Sequence, residues 1–97
     1  MDDVSRANLV EEIKNRAKGC ITVKNYPEAV RLYAKAIEVN PSADTEGLSI
    51  LYANRSMCQL GLNEASEALA DADASLAKNA SYVKGHFRKA LALISLK

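Results

Sequence analysis

The chain has 97 residues, 48% of them hydrophobic, which is enough for one packed core and not for two. Its 13 basic and 12 acidic residues leave a formal charge of +1, so no global excess drives binding to nucleic acid or membranes, and any electrostatic recognition is local. No window reaches the roughly 18 apolar residues that span a bilayer, and an N-terminus carrying Asp2, Asp3, Glu11 and Glu12 lacks the basic and apolar regions of a signal peptide. A cytoplasmic location is expected, with the nucleus as the alternative.

No segment alternates apolar with polar residues for long, so the expected class is all-α. A first helix runs from Asp3 to about Lys24, with Leu9, Ile13, Ala17, Cys20 and Ile21 on one face and Gly19 weakening it without ending it. Asn25 before Pro27 reads as an N-cap, so a second helix turns Ala29, Val30, Tyr33, Ala36 and Ile37 inward and stops before Pro41. After a polar loop from Asn40 to Asp44 or Thr45, a third helix covers about Glu46 to Leu60 and ends around Gly61 and Asn63. A fourth spans about Glu64 to Lys78, and Ser81 caps a fifth from Tyr82 to Leu96. Five helices joined by short turns pack as antiparallel neighbours.

The chain also repeats itself. Asn25 to Pro41 matches Glu64 to Ala80 at a shift of 39 residues, placing Glu28 on Glu67, Ala29 on Ala68, Val30 on Leu69 and Ile37 on Leu76. A shift of 34 then lays Asn54, Arg55 and Ser56 on Arg88, Lys89 and Ala90. The first interval is therefore a 34-residue unit with five residues inserted between Asn40 and Gly47.

Within that frame the cations are arranged in pairs. Lys14 with Lys18, and Lys84 with Arg88, lie four residues apart and so one above the other on a helix face. Asn54 sits between them in an Asn-Arg-Ser run. Such a set suits a ligand with closely spaced carboxylates, because each cation can add a charge-assisted hydrogen bond.

The 34-residue period, with Ala17, Ala29, Tyr33, Ala36 and Pro41 in one unit and Ser56, Ala68 and Leu69 in the next, resembles the tetratricopeptide repeat (TPR) family. The second unit has Ala80 where a proline is usual. The resemblance implies a single helix-turn-helix solenoid over residues 1–97. Repeat one covers about 9–42, repeat two about 46–80, and 81–97 supply the first helix of a third.

The chain is similar more particularly to the carboxylate-clamp branch, found in co-chaperones that bind the C-terminal Glu-Glu-Val-Asp tail of heat shock protein 90 and heat shock protein 70. On that likeness Lys14, Lys18, Asn54, Lys84 and Arg88 are the expected tail-binding residues. Lys84-Gly85-His86-Phe87-Arg88-Lys89 matches the motif of the fifth helix. Lys18 departs from the pattern, since an Asn is usual there and lysine donates hydrogen bonds without accepting them.

Other readings compete. A scaffold of the same fold that binds an internal peptide or a helix is one. Self-association is another, because Ala90, Leu91, Leu93 and Ile94 form an apolar face on the last helix where a sixth helix and a polar cap are usual, which also reads as a fragment of a longer protein. One histidine, no glycine-rich phosphate loop and no ligand cluster argue against an enzyme, and no cofactor is expected. The Asp71-Ala72-Asp73 segment reads as helix surface and packing, and His86 as a surface or packing residue. The five aromatics, Tyr26, Tyr33, Tyr52, Tyr82 and Phe87, fall at packing positions rather than on a base-stacking platform. Cys20 and Cys58 read as reduced thiols, too few and too far apart for a disulfide framework or a zinc site.

Overall fold

The chain reverses direction four times, and local chemistry accounts for where. In the computed structural model, which describes residues 1–97, the helices are α1 (Asp3–Thr22), α2 (Tyr26–Val39), α3 (Thr45–Gly61), α4 (Ala65–Lys78) and α5 (Val83–Ser95). Asp2 caps α1 by accepting the Ser5 N–H at 2.8 Å, which also holds its carboxyl below the usual range. The helix stops at Thr22 rather than Lys24, because Lys24 adopts a left-handed φ of 58° and the Asn25 N–H turns back to the Cys20 carbonyl at 2.7 Å. Asn25 does occupy the N-cap position of α2, without a side-chain hydrogen bond, and Pro27 lies in the first turn.

The N-terminus of α3 depends on a pair of residues. Asp44 accepts the Gly47 N–H at 2.9 Å, and a side chain at position 47 would strike the Asp44 carboxylate. The α3–α4 turn closes through Asn63, the other non-glycine residue with a positive φ, at 60°. Ser81 does not cap α5 as its sequence position suggests. Tyr82 is the N-cap, the Ser81 N–H donates to Asn79 Oδ1 at 3.2 Å, and His86 Nε2 lies 2.7 Å from the Ala80 carbonyl, tying the first turn of α5 to the loop.

Each helix packs on the one before it, and α3 also meets α5 directly, giving a TPR-type solenoid of 44 × 30 × 17 Å. Between α1 and α2 the contact is apolar: Val10, Ile13 and Ala17 meet Ala29, Tyr33 and Ala36, and Leu51 and Cys58 of α3 complete this core. Ala17 and Ala29 are fully buried, since helices approach closely only where side chains are short. Val10 belongs to the core although it falls beside the stripe expected from periodicity.

On α3 and α4, the buried alanines Ala53, Ala68 and Ala72 are joined by buried polar contacts. Ser49 Oγ donates to the Ser75 carbonyl at 2.8 Å and Ser75 Oγ to the Ser49 carbonyl at 2.7 Å, while Ser56 Oγ donates to the Ala68 carbonyl at 2.7 Å. Arg55 grips Asp71 with two bonds of 2.6 and 2.7 Å, and this pairing raises the pKa of the guanidinium further. Asp71 is thus a buried ion-pair partner rather than helix surface, whereas Asp73 meets Lys89 of α5 at 3.0 Å near the surface.

Phe87 does not pack. It is 55% exposed, beside Val83 at 77% and Ile94 at 65%, so α5 turns an apolar stripe to solvent. One 34-residue period earlier, Ser49, Ala53 and Ser56 of α3 occupy the positions of Val83, Phe87 and Ala90, and all three are buried.

Candidate functional site

The residues singled out by their spacing fall on α1, α3 and α5, the first helices of successive repeats. Lys14 and Lys18 belong to α1, Asn54 to α3, and Lys84 and Arg88 to α5. Of these, Lys14 and Arg88 approach α3, whereas Lys18 and Lys84 make no side-chain hydrogen bond or ion pair. Lys14 lines a cavity that Leu51, one turn before Asn54, also lines. Arg88 brings an Nη2 to 3.3 Å from the sulfur of Met57, one turn after Asn54. Asn54 is half-buried between these points and makes no side-chain hydrogen bond.

The approach of α5 depends on Gly85. A Cβ there would lie 2.9 Å from Ser75 Oγ and 3.0 Å from a Leu76 methyl, so the missing side chain lets α5 settle on α4 and fixes Lys84 and Arg88 on either side of it. In the sequence Gly85 is visible only as part of a motif. Its mechanical role emerges only with Ser75 in view.

The charges differ in how free they are. Lys14 is half-buried and contacts Glu11 at 3.5 Å, but Glu11 is 65% exposed, so the pair is weak and easily exchanged for another carboxylate. Lys18 and Lys84 are exposed, and neither makes an ion pair. Arg88 is half-buried, its guanidinium carbon 5.4 Å from the Phe87 ring centroid, and its one hydrogen-bond partner is a thioether, a weak acceptor. Its strong donors remain available. Beneath it, burial pushes the Cys58 thiol up to about 11, with the positive charge of Arg88 pulling the other way and Cys20 adding to the rise. Burial likewise raises the Tyr82 phenol against the pull of Arg88.

Arg55 and Lys89 are cations of the same motifs that face elsewhere, toward Asp71 and Asp73 of α4. No group of three or more His, Cys, Asp or Glu gathers where it could hold a metal ion. No helix is long and apolar enough to cross a membrane. The cavity, of about 130 Å³, was not visible in the sequence, although three of its lining residues, Asn40, Asp44 and Gly47, mark the inserted segment.

No family model matches the chain. Curated proteins do. It is 36% identical over 86 residues to heat shock protein STI1 of Saccharomyces cerevisiae, covering 89% of this chain and 14% of that protein. Against serine/threonine-protein phosphatase 5 of Mus musculus the identity is 35% over 86 residues, 89% of this chain and 16% of the relative. Hsp70-Hsp90 organizing protein 3 of Arabidopsis thaliana is 35% identical over 81 residues, 84% of this chain and 14% of the relative. The chain therefore spans only about a sixth or less of the length of these three relatives. Five helices stacked as successive hairpins form a TPR-type solenoid, and with these relatives the chain is consistent with a TPR domain of co-chaperone type.

Proposed function

We propose that this domain is a chaperone-binding module that holds the free, acidic C-terminus of a heat-shock chaperone, heat shock protein 90 or heat shock protein 70, in a groove lined by Lys14, Lys18, Asn54, Lys84 and Arg88. The observation that supports this reading is that Lys14 shares a cavity lining with Leu51, and Arg88 reaches Met57, so both approach α3 within one turn of Asn54. The names of the relatives, heat shock protein STI1 and Hsp70-Hsp90 organizing protein 3 among them, support a chaperone as the partner.

A peptide ending in aspartate offers two carboxylates within a few bond lengths, its side chain and its terminus. Lys14, Lys84 and Arg88 neutralise both, and Asn54 adds an amide donor and acceptor. Lys18 supplies a further cation where an acceptor is usual, which favours carboxylates over backbone N–H groups. Well-formed bonds of this kind contribute about 1.5–3 kcal/mol each. Ordering a flexible tail costs about 2–5 kcal/mol, so micromolar affinity is expected, roughly −7 to −8 kcal/mol, weakening with added salt. Isothermal titration with a peptide ending in Met-Glu-Glu-Val-Asp tests the reading against the same peptide amidated. Binding that needs the free carboxylate supports it, and equal binding of both peptides refutes it.

A second reading has its own observation. The exposed stripe of Val83, Phe87 and Ile94, with Leu93 beside it at 47% exposure, favours a helix docking on α5, from a second copy or another partner. Sedimentation at increasing concentration tests the second copy: a concentration-dependent mass that Phe87→Lys abolishes supports it, and a constant monomer rules it out.

A further inference from the structure

Met1, Met57, Cys20 and Cys58 carry the sulfur of this chain, and they sit in different surroundings. Met1 is exposed at the start of the chain, before the Asp2 cap of α1, and Cys58 is buried. Met57 lies between these extremes, half-buried and packed on the edge of the core, where a small oxidant can reach it. It is also the sulfur that meets the proposed groove in a hydrogen bond, 3.3 Å from Arg88 Nη2.

The neighbouring sulfurs of α3 differ in chemistry. Cysteine reacts as its thiolate, and burial keeps the Cys58 thiol protonated by pushing it up to about 11. A thioether needs no deprotonation, because its lone pair attacks an electrophilic oxygen directly. What Met57 then does to Arg88 depends on its oxidation state. As a thioether it is a weak acceptor, and Arg88 pairs with no carboxylate of the chain, so the guanidinium stays free for a ligand. Oxidation replaces that weak acceptor with a polar S–O group. The new oxygen, one bond from a sulfur already beside Nη2, competes for the donors that a carboxylate would use. Its partial negative charge also repels a carboxylate approaching Arg88.

We propose that Met57 is a modification site for hydrogen peroxide, and that its sulfoxide occupies Arg88 and weakens tail binding. The proposal rests on the carboxylate-groove reading above and adds a means of regulating it. In the step, the Met57 sulfur attacks one oxygen of the peroxide, and an S–O bond forms as the O–O bond breaks. The departing hydroxide takes the proton of the transferred oxygen and leaves as water, so sulfur is oxidised and peroxide reduced by one electron pair. Methionine sulfoxide reductases reverse the change, with thiols supplying the electrons and the oxygen leaving as water.

Isothermal titration of the intact chain with the Met-Glu-Glu-Val-Asp peptide, free and amidated, before and after peroxide treatment tests it. Catalase removes the peroxide and dithiothreitol reverses disulfides and sulfenic acids before the peptide is added, while mass spectrometry reads the oxygen gained at each methionine. The oxidised chain should bind the free peptide about 10-fold more weakly with helicity unchanged, and reductase treatment should restore the affinity. Met57→Leu should bind equally before and after peroxide, with Met57→Ile in its place should leucine unfold the chain. Full conversion of Met57 with unchanged affinity overturns the proposal, as does a Met57 that stays unoxidised while Met1 converts. A loss of affinity that follows lost helicity, or that the Met57 variant shares, overturns it as well. Amidation separates the two readings. An untreated chain that prefers the free peptide, with affinity indifferent to Met57 oxidation, removes the modification site alone, whereas equal binding of both peptides by the untreated chain removes the groove and the regulation with it.

Discussion

The hairpin of α1 and α2 is closed by Val10, Ile13, Ala17, Ala29, Tyr33 and Ala36, and the one side-chain hydrogen bond across it runs from Arg6 to the Val39 carbonyl at the periphery. The hairpin of α3 and α4 buries Ala53, Ala68 and Ala72 and is closed in addition by Ser49 on Ser75, Ser56 on the Ala68 carbonyl and Arg55 on Asp71. Apolar surface is non-directional, so the first hairpin tolerates small slides of one helix on the other. Hydrogen bonds and a two-pronged ion pair fix register and orientation. The polar hairpin is also the one that carries Asn54 and seats α5 through Ser75 and Gly85, where small displacements would misplace the proposed groove. The first repeat supplies cohesion and the second supplies alignment.

Substitutions can break that contrast. Tyr33 is the largest fully buried side chain, so Tyr33→Ala should cost about 3–5 kcal/mol in urea unfolding. A loss below about 1 kcal/mol would mean that the first hairpin is not the main source of cohesion. Asp71→Ala leaves Arg55 half-buried without its partner and should cost about 3 kcal/mol. Replacing both partners with apolar residues should recover most of that stability yet weaken tail binding, because the alignment is gone while burial is kept. Full binding in the stable double variant would remove the alignment role. Gly85→Ala forces a Cβ onto Ser75 and Leu76 and should cost about 1–3 kcal/mol, with tail affinity falling more than stability.

The smallest effect depends on pH. Burial is the main cause that moves the Tyr33 phenol from 10.0 to about 12, with Cys58 adding to it, and burial likewise lifts the Cys58 thiol from 9.0 to about 11. The folded state then holds protons that the unfolded chain releases. This part of the stability is complete below about pH 9 and is lost as pH rises through about 11 to 12. Urea midpoints should fall across that window, and Tyr33→Phe should flatten the fall; an unchanged slope would show that the phenol does not contribute.

Legibility in the sequence follows the same contrast. The first hairpin could be read because its buried residues are apolar and recur at helical spacing, and Ala17, Ala29, Tyr33 and Ala36 all lie in the core. The second hairpin hides its packing in residue types that normally face water. The segment holding Asp71 read as helix surface and packing with no ion-pair partner, and nothing in periodicity ties Ser49 to Ser75 across 26 positions. Phe87 erred in the opposite direction, since its register predicts burial but no helix lies on that side of α5. The cations Lys14, Lys18, Lys84 and Arg88 could be paired by spacing within a helix. Their relation across helices depends on Met57, Leu51 and Gly85, residues with no charge to draw notice.

The most direct measurement is isothermal titration of the intact chain with the Met-Glu-Glu-Val-Asp peptide, free and amidated, alongside Arg88→Ala. Micromolar binding of the free peptide that amidation and Arg88→Ala both abolish, with helicity unchanged, is the predicted result. Equal affinity for both peptides, or full binding by Arg88→Ala, would contradict a groove that reads a free carboxyl terminus.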